Sequence, residues 1–144
     1  MLTIEKERIR EINPENICFF LYAEGGAMGS PGSVEFIIDS DKGLTHYIAY
    51  YLPFIPGHIG NEDISYLFPC IDDIDLEMFG GCTGLPDEWK YVNLGAGNHL
   101  FVRAEYHGSF MDRVSDCNHP SEIYSRWREE ALVVLTDKDS GNET

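Results

Sequence analysis

The sequence predicts an α+β domain, an antiparallel sheet of about five strands with a C-terminal helix packed on one face. Three observations predict it. The continuous apolar and aromatic run ICFFLYA (17–23) is followed by two further β-prone runs separated by turn residues, the pattern of a meander. A second pair of β-prone runs, WKYVNL (89–94) and LFVRAE (100–105), flanks a glycine-containing turn. Finally, SEIYSRWREEALVVL (121–135) repeats its apolar residues at helical spacing.

Taken in order, residues 3–12 predict a short amphipathic helix that Thr3 caps and Asn13-Pro14 stops, with Ile9 and Ile12 one turn apart. ICFFLYA is apolar on both of its sides, the mark of a buried strand. EGGAMGSPGS (24–33) is rich in glycine and predicts a loop. SVEFIID (33–39) alternates, with Val34, Phe36 and Ile38 on one side. SDKG turns the chain, and LTHYIAYYL (44–52) returns until Pro53 interrupts it. NEDISYLF (61–68) predicts one or two helical turns from Asn61 to just before Pro69. In CIDDIDLEMF (70–79), Ile71, Ile74 and Met78 fall at helical spacing with acids between them.

GGCTGLPDE (80–88) predicts a loop before the second pair of strands. Tyr106, Phe110 and Val114 then mark a short helix that Gly108 weakens. In the final helix Tyr124, Trp127, Ala131, Val134 and Leu135 share a stripe, and Arg126 and Glu130 form an i,i+4 pair on the wet side. Asn118 or Ser121 is its expected cap. Residues 1–136 form one expected domain, and 137–144 a flexible tail.

A chain of 144 residues with 43% hydrophobic content is long enough to bury a core without disulfides or a structural metal. No apolar run approaches the ~20 residues of a membrane-spanning helix. The segment MLTIEKERIREI alternates charge with isoleucine, unlike a signal peptide. Cys18, Cys70, Cys82 and Cys117 are spread without a C-x-x-C pair. These features together predict a cytoplasmic protein with reduced thiols.

Charge is the strongest global feature. The net is −15, and residues 43–89 contain eight acids and no lysine or arginine. Such a field repels nucleic-acid phosphates and anionic membranes, since binding to either rests on Lys and Arg. It attracts basic proteins and cations; it also keeps a protein soluble.

The motifs that carry chemistry are few. NLGAGNHL resembles a phosphate cradle only in part, because Leu100 stands where G-x-G-x-x-G needs its third glycine and β-prone residues follow. A hairpin explains it better, with Gly95 and Gly97 free to take positive φ, Asn98 tolerating it, and Val92 and Leu94 facing Leu100 and Val102. His99 is a candidate general base if Glu24, Glu105 or Asp112 orients it; otherwise its ring braces the turn through a loop carbonyl. Cys117 and His119 are one pair where zinc wants three or four ligands. Cys82 in GGCTG lies among acids, which raise a thiol pKa. DDIDLEMFGG lacks the D-x-D-x-D-G order of a calcium loop; its apolar Ile74 and Leu76 instead leave a carboxylate row facing outward. No cofactor is expected.

With no catalytic constellation, the sequence points to a binding protein. In size, acidity and the strand–hairpin–helix layout around YVNLGAGNHLFVR and YSRWREEALVVL, it resembles the bacterial immunity proteins of polymorphic or contact-dependent toxin systems. The resemblance implies a basic toxin domain as partner and occlusion of its active surface as mechanism. The expected face is Asp72, Asp73, Asp75, Glu77, Asp87 and Glu88, with Trp89 as an anchor if it is exposed. The alternatives are a small enzyme centred on His99 and an acidic DNA-mimic inhibitor.

Overall fold

The computed structural model describes residues 1–24, 32–52, 55–77 and 80–141. Their fold is α+β, as the sequence predicts, with one sheet between two helical layers. Six strands form the sheet: β1 (Leu2–Thr3), β2 (Ile17–Ala23), β3 (Gly32–Ser40), β4 (Gly43–Tyr51), β7 (Trp89–Asn93) and β8 (Asn98–Arg103). They lie in the order β1-β4-β3-β2-β8-β7, and a separate ribbon pairs β5 (Asp75–Leu76) with β6 (Cys82–Thr83). Every neighbour pair is antiparallel except β1 with β4. The meander of β2, β3 and β4 follows from the three successive apolar runs and the tight turn at residues 40–43.

Both faces of the sheet are covered. On one, Phe20, Val34, Phe36 and Phe101 pack against Ile64, Leu67 and Phe68 of α1 (Asn61–Leu67) and its exit. On the other, Phe19, Ile37, Leu100 and Val102 meet α2 (Ala104–Arg113) and α3 (Pro120–Gly141) through Phe110, Trp127, Ala131 and Leu135. A register shift between Ile17 and Phe19 turns Cys18 and Phe19 successively toward the helices, so a single bulge serves both cores. The burial of Ile37 beside Val34, Phe36 and Ile38 shows why β3 is apolar beyond strict alternation.

Several elements differ from the sequence reading. Residues 6–11 form a 3-10 helix that Glu5 precedes, while Thr3 belongs to β1. Lys6 accepts this position because its amide donates to the Gly57 carbonyl at 2.7 Å. The helical spacing of Ile71 and Ile74 reflects a 3-10 turn, Pro69–Asp73, that gives way to β5; Met78 lies outside the described residues. α3 continues through Gly141, into the expected tail. At its start the Glu122 carboxylate accepts the Asn118 amide at 3.0 Å, while Ser121 sits within the first turn. Arg126 and Glu130 do pair, at 2.6 Å, but Glu130 is buried and also accepts Arg113 at 2.9 Å. The pair thus fastens α2 to α3 instead of decorating a wet face. Most of the expected loop at 24–33, and Pro53, lie outside the described residues.

Candidate functional site

The acids of residues 43–89 divide into two groups. Glu62 and Asp63, at the start of α1, are compensated: Lys6 Nζ lies 2.9 Å from Glu62, and Arg10 Nη1 3.1 Å from Asp63. Asp72, Asp73, Asp75, Glu77, Asp87 and Glu88 are exposed and, among the described residues, enter no ion pair. Asp72 accepts a hydrogen bond from Ser65 Oγ at 2.9 Å. Four arginines are occupied elsewhere: Arg8 with Glu11, Arg113 with Glu130, Arg126 with Asp116 and Glu130, Arg128 with Glu35.

Local structure sets this segregation. Ile74 is buried and Leu76 half-buried against the core, so Asp73, Asp75 and Glu77, which alternate with them, turn outward. Pairing of Asp75 with Thr83 and Leu76 with Cys82 holds that extended segment in place. Asp87 and Glu88 stand on the turn into β7, where the Glu88 carbonyl accepts the Ala104 amide at 2.8 Å.

Trp89 does not satisfy the condition placed on it as an anchor. It is only 6% exposed, because its indole takes the edge of Phe68 at 4.9 Å and the Arg103 guanidinium lies over it at 4.1 Å. Instead of projecting, it walls a cleft of about 380 Å³ together with Leu67 and Pro69. Glu15, Asp73 and Glu88 line the same cleft. Arg103 is held by donating Nε to the Ile17 carbonyl at 2.8 Å and Nη2 to the Pro14 carbonyl at 3.2 Å.

Cys70 also borders this cleft. Burial above all, then the nearby Glu88, Cys82 and Asp73, push its thiol up to about 11 against one lowering backbone hydrogen bond. Burial and Asp75 likewise raise Cys82. Neither thiol ionises readily near neutrality, so neither makes a ready nucleophile.

His99 is buried at 2% exposure. Its Nδ1 lies 2.6 Å from the Tyr91 hydroxyl, so a hydroxyl rather than the expected loop carbonyl braces the ring. Its Nε2 lies 3.4 Å from Glu24 Oε1, without a hydrogen bond between them. Of the three candidate carboxylates the structure thus brings up Glu24, while Glu105 and Asp112 belong to α2. The hairpin is as the sequence reading has it, with Val92 paired to Leu100 and both in the core with Leu94 and Val102. Its turn differs in detail. Gly95, Ala96 and Gly97 take φ of 78°, 52° and 78°, and Asn98 instead donates its side-chain amide to the Gly95 carbonyl at 3.0 Å.

A buried polar cluster on the other face of the sheet is not among the residues the sequence singles out. Glu35, 2% exposed, accepts Arg128 Nε at 2.5 Å and Nη2 at 2.9 Å and meets His46 Nε2 at 2.6 Å. Burial alone would raise its carboxyl; hydrogen bonds from His46 and Arg128 outweigh that and hold it below the ordinary value. The one signal was an acid set between Val34 and Phe36 in a strand that continues as FIID. Cys117 receives Arg126 Nη1 at 3.4 Å, and His119 is exposed. Among the described residues no group of His, Cys, Asp or Glu is placed to hold a metal ion, and no helix is long and apolar enough to cross a membrane. Compared with known proteins, the chain matches no family, no curated protein and no solved structure.

Proposed function

We propose that the protein is an acidic, cytoplasmic binding protein that covers a basic surface of another protein, as an immunity protein occludes a toxin domain. One observation carries the reading: six exposed carboxylates between residues 72 and 88 without ion pairs among the described residues, while the arginines at 8, 10, 113, 126 and 128 are held by other acids. Unpaired surface charge steers a complementary partner and raises its association rate. Paired charge largely cancels at that range. Purified basic toxin domains, titrated by interferometry between low and physiological salt, test this. Binding should weaken steeply with salt, and the combined Asp75→Asn, Glu77→Gln and Asp87→Asn variant should lose association rate with little change in dissociation. Failure of every basic domain to bind at micromolar concentration sinks the reading.

A second reading, a small enzyme using His99, is favoured by the approach of Glu24 to Nε2. A carboxylate there would stabilise the imidazolium that a general base becomes. Turnover in a hydrolase panel that disappears in a folded His99→Gln variant would support it; equal turnover in both proteins would remove it.

A further inference from the structure

We propose that the Trp89 cleft is the seat for one lysine or arginine side chain of the basic partner, an assignment that rests on the binding-protein reading above. At about 380 Å³ the cleft lies at the small end of ligand sites; it has room for one long side chain but not for a helix. Its walls divide by chemistry. Pro14 and Pro69, with the narrow exposed edge of Trp89, offer an apolar surface for an alkyl stem, and Glu15, Asp73 and Glu88 offer negative charge for the head.

The three carboxylates reach the cleft from separate segments: the 3-10 turn Pro14–Asn16, the turn Pro69–Asp73, and the entry to β7. Among the described residues none of the three is in an ion pair. Arg103, the cation at the site, has its Nε and Nη2 on backbone carbonyls and its face on the indole. It leaves an excess of negative charge and does not invite an anion. These carboxylates are also not grouped to chelate a metal ion. A cation on an apolar stem satisfies both halves of the lining.

The test titrates the nitrogen-15-labelled full chain with three capped tripeptides, Gly-X-Gly, in which X is arginine, lysine or norleucine. The basic peptides should move the Trp89 indole N–H resonance, and norleucine should bind about tenfold more weakly. Asp73→Asn and Glu88→Gln, both at exposed positions, should each weaken the basic peptides roughly two- to fivefold. Glu129→Gln, at an exposed position on α3, should leave binding unchanged. An unmoved Trp89 indole, or equal weakening by Glu129→Gln, overturns the cleft assignment. If basic toxin domains still bind in that case, the wider reading stands and only the seat is wrong. If no basic protein binds, the wider reading is what has failed.

Discussion

Arg128 of α3 grips Glu35 of β3 with two guanidinium nitrogens, Nε at 2.5 Å and Nη2 at 2.9 Å. The bond ties the last helix to a central strand, with His46 of β4 sharing the same carboxylate. Removing one partner leaves a buried charge short of donors. Arg128→Met should therefore destabilise the fold by about 2–3 kcal/mol, at the low end for a broken buried pair because His46 remains. Urea unfolding at neutral pH measures it.

The same carboxylate sets an acid limit. Its folded pKa lies below the ordinary 4.5, so its contribution is fully present above that value. It is lost as pH falls through the lower folded value. Stability followed from pH 6 down to pH 2 should fall in the wild type, and the fall should be shallower in Glu35→Gln. An unchanged slope in the variant would assign the acid transition to other carboxylates.

The hairpin turn offers a substitution that should gain stability. Ala96 holds φ of 52°, a region that costs a residue with a Cβ roughly 1 kcal/mol. Ala96→Gly removes that strain but adds freedom to the unfolded chain, for a net gain of about 0.5 kcal/mol. Gly97→Ala should act oppositely, because its φ is 78° and a Cβ there would meet Glu24 Oε2 at 3.4 Å. Thermal melts of both variants check the contrast in sign.

Tyr91→Phe deletes the hydroxyl that meets His99 Nδ1 at 2.6 Å. A buried imidazole would then have its Nδ1 unpaired as well as its Nε2. The expected cost is about 1–3 kcal/mol by chemical denaturation, and a loss under a few tenths would mean that water replaces the hydroxyl.

Cys70 should alkylate slowly at pH 8, because a thiol near pKa 11 has roughly 0.1% thiolate there. Its iodoacetamide rate should keep rising above pH 9, and a plateau near pH 9 would contradict the environment described. Mass spectrometry of the labelled peptide separates it from the other cysteines.

Much of the fold was legible because β2 and β3 carry two signals at once. Phe19 and Phe20 adjoin, and so do Ile37 and Ile38, residues that a one-sided strand would alternate with polar ones. The stripe from Trp127 to Leu135 likewise foretold a helix on the sheet. Glu35 was not legible, since period-two reasoning sends a lone acid outward and its partner lies 93 positions away. The burial of Trp89 is hard to read from the sequence as well. Its cover joins Phe68, from the exit of α1, to Arg103, its register partner across the hairpin, whereas the exposure of Asp73, Asp75 and Glu77 follows from the local apolar alternation around them.

The position of α3 in the chain has a kinetic consequence. Phe19, Ile37 and Leu100 are all synthesised by the time β8 ends at Arg103, yet their cover includes a helix that runs to Gly141. At about 5–20 residues per second, the ribosome needs about 2–8 s to supply it. During that interval the nascent chain offers a naked aromatic face to its surroundings. A ribosome-associated chaperone, or slow release from the exit tunnel, would then govern yield more than the stability of the finished fold.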